Sequence, residues 1–248
     1  MTIYVKSKQV VIPGEPLAYG RYEYQGPIYI VRQRIYSKVI GIVEIEDKKK
    51  LILIPLKGKY MPREGDIVIG KIVDVGLTGW TVDINSPYKA VLPVSEVLSR
   101  PTDAVKLDLS KLLDIGDLIV AKILAFDYTR DPLLTIKESK LGKITKGTLV
   151  EITPVKIPRV IGKKGSMINL LKNMLHVELV IGKNGRILVV GDDPLMEAWA
   201  VMAIKKIERE AHIPGLTNRI KKFLSKVKTD KKAGLSSQGN ISGVKRVK

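Results

Sequence analysis

Two glycines bracket two lysines in Gly162-Lys163-Lys164-Gly165, and Arg159 flanks them. Glycine lets the backbone approach a phosphate chain and tolerates positive φ, while the lysines supply the opposing charge. Ser166 follows directly and is placed to cap a helix. The apolar residues Met167, Leu170, Leu171 and Met174 recur behind it at helical spacing, so free N–H groups of a helix start would face the same anion. A nucleotide-triphosphate loop is excluded, because its lysine follows the last glycine and precedes Ser or Thr, whereas here Gly165 meets Ser166. An isolated G-K-K-G also reads as a solvated turn, so the surrounding elements decide between the two.

Those elements are legible. Residues 149–152 alternate as a strand leading into the loop. After the helix, residues 176–181 and 186–190 form a hairpin around Gly182-Lys183-Asn184-Gly185, where Asn184-Gly185 provides the positive φ values of a tight primed turn. This second glycine-bracketed element therefore reads as structural. Asp192 or Asp193 caps a further helix with Pro194 in its first turn. Its buried stripe is Leu195, Met196, Trp199, Ala200, Met202, Ala203 and Ile207, with Lys205, Lys206, Glu208 and Arg209 facing water. His176 sits at a helix-to-strand junction and His212 near Pro214, both structural or merely exposed.

Upstream, Gly65-Asp66 and Gly116-Asp117 each open an apolar strand carrying a lysine at the same place. With candidate strands at 80–84, 88–93 and 132–137 and an excursion over 97–113, they give a five-stranded oligonucleotide-binding (OB) barrel. Residues 142–147 are a glycine and lysine linker. Residues 1–60 read as short β-strands, with a hairpin tip at 46–50 and tyrosines at 19, 22, 24, 29 and 36 that suit a protein interface. Val11-Ile12-Pro13-Gly14-Glu15-Pro16-Leu17 is expected as a surface loop, with Pro16 opposing a central strand. Leu216, Ile220, Phe223, Leu224 and Val227 fit a short amphipathic helix, and the Lys-, Ser- and Gly-rich residues 228–248 a disordered basic tail.

Composition narrows the chemistry. Lys and Arg number 43 against 25 Asp and Glu, a net charge of +18 that marks a polyanion binder, with nucleic acid the leading partner. No run approaches the roughly 18 apolar residues of a spanning helix, and no signal-peptide core is visible, so a cytoplasmic, membrane-free protein is expected. Zero cysteines remove thiol nucleophiles, thiolate metal sites and disulfides, and two histidines leave little for metal or triad chemistry. No catalytic residue, cofactor or metal is expected. A Mg²⁺-dependent nuclease around Asp127, Asp131, Asp192 and Asp193 is the weaker alternative, since turns and helix caps already need those aspartates.

The order strand, short helix, G-K-K-G, helix, two strands, helix resembles the type I K-homology (KH) domain (βααββα), whose G-x-x-G loop clamps single-stranded RNA. Gly65-Asp66-x-Val68, Gly79-Trp80-Thr81-Val82-Asp83-Ile84 and Val91-Leu92-Pro93-Val94-Ser95-Glu96 resemble the S1 RNA-binding domain. That family commonly has base-stacking aromatics where Thr78 and Thr81 stand and histidine at Pro93. The barrel is therefore expected to hold RNA through charge, with Lys71, Lys89, Arg100, Lys122 and Arg130 as candidates and Trp80, Tyr88 and Tyr128 as replacement platforms. With Arg159, Gly162, Lys163, Lys164 and Gly165 these make up the candidate RNA site.

The whole is expected to be multidomain, mainly β with α+β: an N-terminal β domain (1–62), an S1-type OB barrel (63–140), a KH domain (147–212) and a basic tail (213–248). This domain order, with Val11 to Leu17 and the two glycine-bracketed elements, resembles the RNA-binding cap subunit of the archaeal exosome. The resemblance implies a non-catalytic subunit, present in three copies on a hexameric ring of phosphorolytic RNase subunits. The N-terminal domain would grip the ring while the chain passes single-stranded RNA inward for 3′-to-5′ degradation, and the G-x-N-G element would pack toward the S1 domain. A translation- or ribosome-associated RNA-binding protein is the alternative, but it gives the tyrosine-rich N-terminal domain no task.

Overall fold

The computed structural model describes the chain apart from residues 1, 47–49, 57, 99–107, 128, 212, 214, 234–244 and 248, and describes residues 226–233 and 245–247 by their backbone alone. Arg100, Tyr128, His212 and most of the expected hairpin tip at 46–50 lie outside the described residues. The chain forms two compact units, Met1–Gly58 and Lys59–Lys248.

The first unit comprises β1 (Thr2–Ile3), β2 (Val10–Val11), β3 (Pro16–Tyr19), β4 (Glu23–Gln25), β5 (Ile28–Val31), β6 (Arg34–Ser37), β7 (Gly41–Glu46) and β8 (Lys50–Pro55). They make two four-stranded sheets, ordered β1-β3-β6-β5 and β2-β7-β8-β4. Strand alternation sends Val43, Leu51 and Leu53 inward against Val11, Leu17 and Ile35 in one core. The surface-loop expectation for residues 11–17 is met at the exposed turn 12–14 and corrected at its ends. Val11 and Leu17 are buried, and Pro16 opens β3, an interior strand, at the first-residue position where a strand accepts proline. Arg32 and Gln33, both at positive φ without a glycine, turn β5 into β6.

In the second unit β9 (Ile67–Val75), β10 (Gly79–Asp83), β11 (Lys89–Pro93), β12 (Leu118–Ala125) and β13 (Leu133–Thr135) close into a five-stranded barrel, ordered β13-β11-β10-β9-β12 with β13 also pairing β12. Val68, Ile72, Val82, Leu92, Ile119 and Leu134 fill it. Trp80 is 1% exposed and its Nε1 donates to the Leu113 carbonyl at 2.8 Å, so it is barrel core; the expectation that it offers a stacking platform is corrected. The expected linker at 142–147 is pinned: β14 (Gly142–Lys143) pairs with β12.

The α+β region follows as β15 (Gly147–Glu151), α1 (Ile157–Ile161), α2 (Ser166–Leu175), β16 (Val177–Ile181), β17 (Arg186–Gly191) and α3 (Pro194–Glu210), the βααββα order, with the helices packed on a sheet ordered β16-β17-β15. Asp193 caps α3, its Oδ1 accepting from Leu195 N at 2.9 Å. The buried stripe of α3 is Met196, Ala200, Val201, Ala203, Ile204 and Ile207, whereas Leu195 and Met202, expected inside, are exposed. The same core takes in Ile220 and Leu224 of α4 (Leu216–Ala233), and Phe223 meets Trp199 edge-on at 5.6 Å. The disorder expected from residue 228 is therefore corrected up to Ala233, and β18 (Lys245–Val247) extends the sheet beside β15.

Candidate nucleic-acid interface

The loop at the α1–α2 junction takes a shape its sequence requires. The Gly162 N–H donates to the Pro158 carbonyl at 2.9 Å and ends α1, with Gly162 at φ 75°, ψ 170°. A Cβ at Gly162 would stand 2.7 Å from Met167 N and 2.8 Å from Met167 Cβ, so a side chain is excluded by space as well as by φ. Lys164 is held left-handed (φ 52°, ψ 33°), Gly165 has φ 77°, and the Gly165 N–H closes the loop on the Gly162 carbonyl at 3.2 Å. A lysine in that conformation persists only where its surroundings fix it. Lys163 and Lys164 are exposed, and neither makes an ion pair or side-chain hydrogen bond among the described residues. Arg159 is exposed on α1 just before the loop. Ser166, expected as the cap of α2, is already helical (φ −60°, ψ −36°); Gly165 holds the cap position and no side chain caps the helix. The first N–H groups of α2 thus adjoin the two lysines directly.

The second glycine-bracketed element has the opposite character. Gly182 N–H to the Arg186 carbonyl (2.8 Å) closes a three-residue loop in which Gly185 alone is left-handed (φ 86°). Asn184 keeps negative φ, so the primed turn expected there is replaced by the three-residue form with a left-handed glycine last. Asn184 is fully buried. Its Nδ2 donates to the carbonyls of Ile69 (2.8 Å) and Ile84 (2.9 Å), its Oδ1 accepts from Ile69 N (3.3 Å), and its own carbonyl accepts from Asn85 Nδ2 (2.9 Å). A Cβ at Gly182 would lie 2.9 Å from Ile69 N, which measures how closely the hairpin backbone approaches β9.

Arg186 completes the joint. Its Nη2 and Nη1 donate to Asp83 Oδ2 (2.6 Å) and the Asp83 carbonyl (2.7 Å), and its Nε donates to Glu151 Oε1 (3.0 Å). Burial alone would raise the Asp83 carboxyl, but the hydrogen bond and charge of Arg186, joined by the Asn85 N–H and the charge of Lys71, outweigh it and hold the group below its usual range. Such a depressed carboxyl stabilises the fold fully above its ordinary value of 3.8 and loses that contribution only as pH falls through the lower folded value. Around these contacts Ile69, Leu118 and Val120 of the barrel, with Ile144 after β14, pack on Leu149 and Leu188.

The barrel candidates separate. Lys71 on β9 and Lys89 on β11 both stand opposite Asp83 of β10, which brings the two lysines into one row beside Arg186. Lys122 is paired with Glu138 (2.5 Å) on another part of the barrel, and Arg130 is exposed in the turn after β12. Tyr88 is half-buried and meets Phe126 edge-on at 5.1 Å. Of the aspartates weighed for a metal, Asp127 accepts from the Thr129 hydroxyl and N–H, and Asp193 is a helix cap. Among the described residues no group of three His, Asp or Glu side chains is arranged to hold a metal ion. Sequence reasoning did not single out Asn85, Glu151 or Arg186, whose partners lie 35 to 117 residues away. Only Asn184 in its glycine setting signalled the joint.

Residues 8–57 match the family model described as the exosome RNA binding protein RRP4 N-terminal domain, and residues 59–125 the one described as RRP4, S1 domain. Among curated proteins, the exosome complex component Rrp4 of Thermofilum pendens is 56% identical over 226 residues, covering 90% of this chain and 95% of its own. The chain belongs to the exosome component Rrp4 family. Rrp4 of Pyrobaculum aerophilum is 44% identical over 93% of this chain and 98% of its own. A crystal structure described as that of an exosome complex RNA-binding protein superposes with a TM-score of 0.67 at 47% identity, covering 70% of this chain and 99% of that one.

Asn184→Ala should strip the Ile69 and Ile84 carbonyls of a buried donor, at about 1–3 kcal/mol for each group left unsatisfied. Thermal melting should fall by several degrees, and hydrogen exchange at residues 67–69 and 183–186 should quicken while α2 keeps its protection. An unchanged melting temperature would remove Asn184 from the joint.

Proposed function

We propose that this chain, a non-catalytic RNA-binding subunit of the exosome, captures single-stranded RNA and guides it into a phosphorolytic ring for 3′-to-5′ degradation. The observation that carries the reading is the Gly162 to Gly165 loop, where two uncommitted lysines stand on a glycine-shaped backbone against the first N–H groups of a helix. Gly162 and Gly165 let the phosphate chain approach, Lys163 and Lys164 neutralise it, and Arg159 extends the contact along α1. A net charge of +18 gives the chain a long-range attraction for RNA of any sequence. The barrel adds charge more than stacking, since Thr78, Thr81 and Pro93 stand where base-stacking side chains would serve.

Assembly belongs to the same proposal. Three copies dock on a hexameric ring through the first unit, which exposes Tyr4, Val10, Ile12, Tyr19, Tyr24 and Ile30 by two-fifths or more of their surface. Aromatic residues of this kind supply contact area with a polar tip and are enriched at interfaces. The domains meet this task as a docking unit over 1–62, a barrel over 63–140 and an RNA-gripping unit from 147 onward. Cytoplasmic work is part of the proposal. No described helix is long and apolar enough to cross a membrane.

Reversing the loop charge with Lys163→Asp and Lys164→Asp should weaken binding of a single-stranded oligoribonucleotide tenfold or more, and lower the salt slope by about 0.7 for each phosphate no longer neutralised. Affinity and slope equal to the unaltered chain would dismiss the loop as an RNA-binding element. Deleting residues 2–58 should leave RNA binding in place but abolish co-purification with phosphorolytic ring subunits. Recovery of the intact complex with the shortened chain would assign docking elsewhere.

A further inference from the structure

Between the barrel and the α+β region lies a cleft of about 860 Å³, inside the roughly 300–1,000 Å³ range of small-ligand sites. We infer that this cleft seats one nucleotide of a single-stranded RNA, with its phosphate between Lys71 and Lys89. The inference rests on the RNA-binding reading above and adds a second point of attachment, on the barrel side of the joint.

Charge is the first argument. Four cations line the cleft, Lys71, Lys89, Lys143 and Arg186, against three carboxylates, Asp83, Asp117 and Glu151, and the surplus is the single charge of one phosphodiester. The carboxylates are committed elsewhere. Arg186 holds Asp83 and Glu151, and Lys143 holds Asp117 at 2.5 Å. Lys71 and Lys89 make no ion pair or side-chain hydrogen bond among the described residues. Their strands place them on either side of Asp83, whose carboxylate is turned to Arg186. The row therefore offers two cations beside an anion whose side-chain hydrogen bond goes to Arg186, with the Lys71 charge also acting on it.

Shape is the second. Lys71 is half-buried and Lys89 exposed, so the pair stands at the rim. Behind them Val73, Leu118, Ile144 and Leu149 give an apolar wall suited to a ribose or base face. Among the described residues no aromatic side chain lines the cleft, so recognition there is carried by phosphate charge and tolerates any base. Thr145, exposed at the edge, makes no side-chain hydrogen bond among the described residues and is a suitable reporter position. The joint through Asn184 and Arg186 fixes this cleft relative to the α1–α2 loop, so one strand can touch both at a constant spacing.

The test uses the full chain and a fluorescent single-stranded RNA of about 15 nucleotides, long enough to span more than one site of the usual size, followed by anisotropy across a salt series. Lys71→Ala with Lys89→Ala should weaken binding about fivefold to tenfold and lower the salt slope by about 0.7, with an unchanged melting temperature. A photoreactive probe on Thr145→Cys should crosslink the RNA, and Lys71→Ala with Lys89→Ala in that background should abolish the adduct. If the Lys71 and Lys89 variant binds within twofold of the unaltered chain while the Lys163 and Lys164 variant is impaired, the cleft is overturned and the RNA-binding reading stands. If neither variant is impaired, both are overturned. If the probe on Thr145→Cys forms an adduct with AMP but none with RNA, the cleft is a free-nucleotide site and the inference is overturned.

Discussion

One buried amide ties the second unit together. Asn184 has no exposed surface, and its side chain makes three hydrogen bonds to the backbone of Ile69 on β9 and Ile84 just after β10, both more than 90 residues earlier. Each bond contributes only about 0.5–1.5 kcal/mol net, but a buried carbonyl deprived of its donor costs about 1–3 kcal/mol. The asymmetry makes the amide a device for position more than for total stability: any sliding of hairpin against barrel leaves several groups unpaired at once. Arg186 adds the same logic with charge, since its side chain is 7% exposed and held by two carboxylates from different elements.

Two glycine-bracketed loops of nearly equal composition therefore end in opposite environments. In Gly162-Lys163-Lys164-Gly165 a lysine occupies the third position, and its charge and length keep the loop in water. In Gly182-Lys183-Asn184-Gly185 the third position is asparagine, short and neutral, with donors and acceptor suited to a backbone pocket. The glycines serve different ends as well. Gly162 makes room for Met167 at the start of α2, and Gly182 makes room for the backbone of β9. One position thus distinguishes an outward, lysine-bearing loop from an inward joint.

The sequence made local matters legible and left distant ones dark. Strand alternation, the Asp193 cap and the order of elements follow from neighbours a few residues apart, and they held in the structure. Asn184-Gly185 announced a turn, and the family resemblance its direction, but the partners Ile69, Ile84 and Asn85 had no local signature. Trp80 shows the same limit. Its neighbours permit a surface ring, and only closure of β13 onto β12, with Leu113 brought to its indole, makes it core. On α3, periodicity alone could not tell Leu195 and Met202 from Val201 and Ile204, because the buried face is chosen by the sheet and by α4, which joins the same core.

The joint also bears on how the proposed RNA grip would work on a barrel poor in stacking aromatics. Phosphate contacts are individually weak, salt-sensitive and indifferent to sequence. Their sum is useful when they are fixed relative to one another, because the second then engages a strand already held by the first. A flexible linker at 142–147 would spread that second site over many orientations. Pairing of Gly142–Lys143 with β12, the Asn184 amide and the Arg186 carboxylate pairs confine it to one. On the proposed reading, rigidity between the lysines of the loop and those of the barrel row would substitute for base-stacking side chains at Thr78, Thr81 and Pro93 and leave the grip tolerant of sequence.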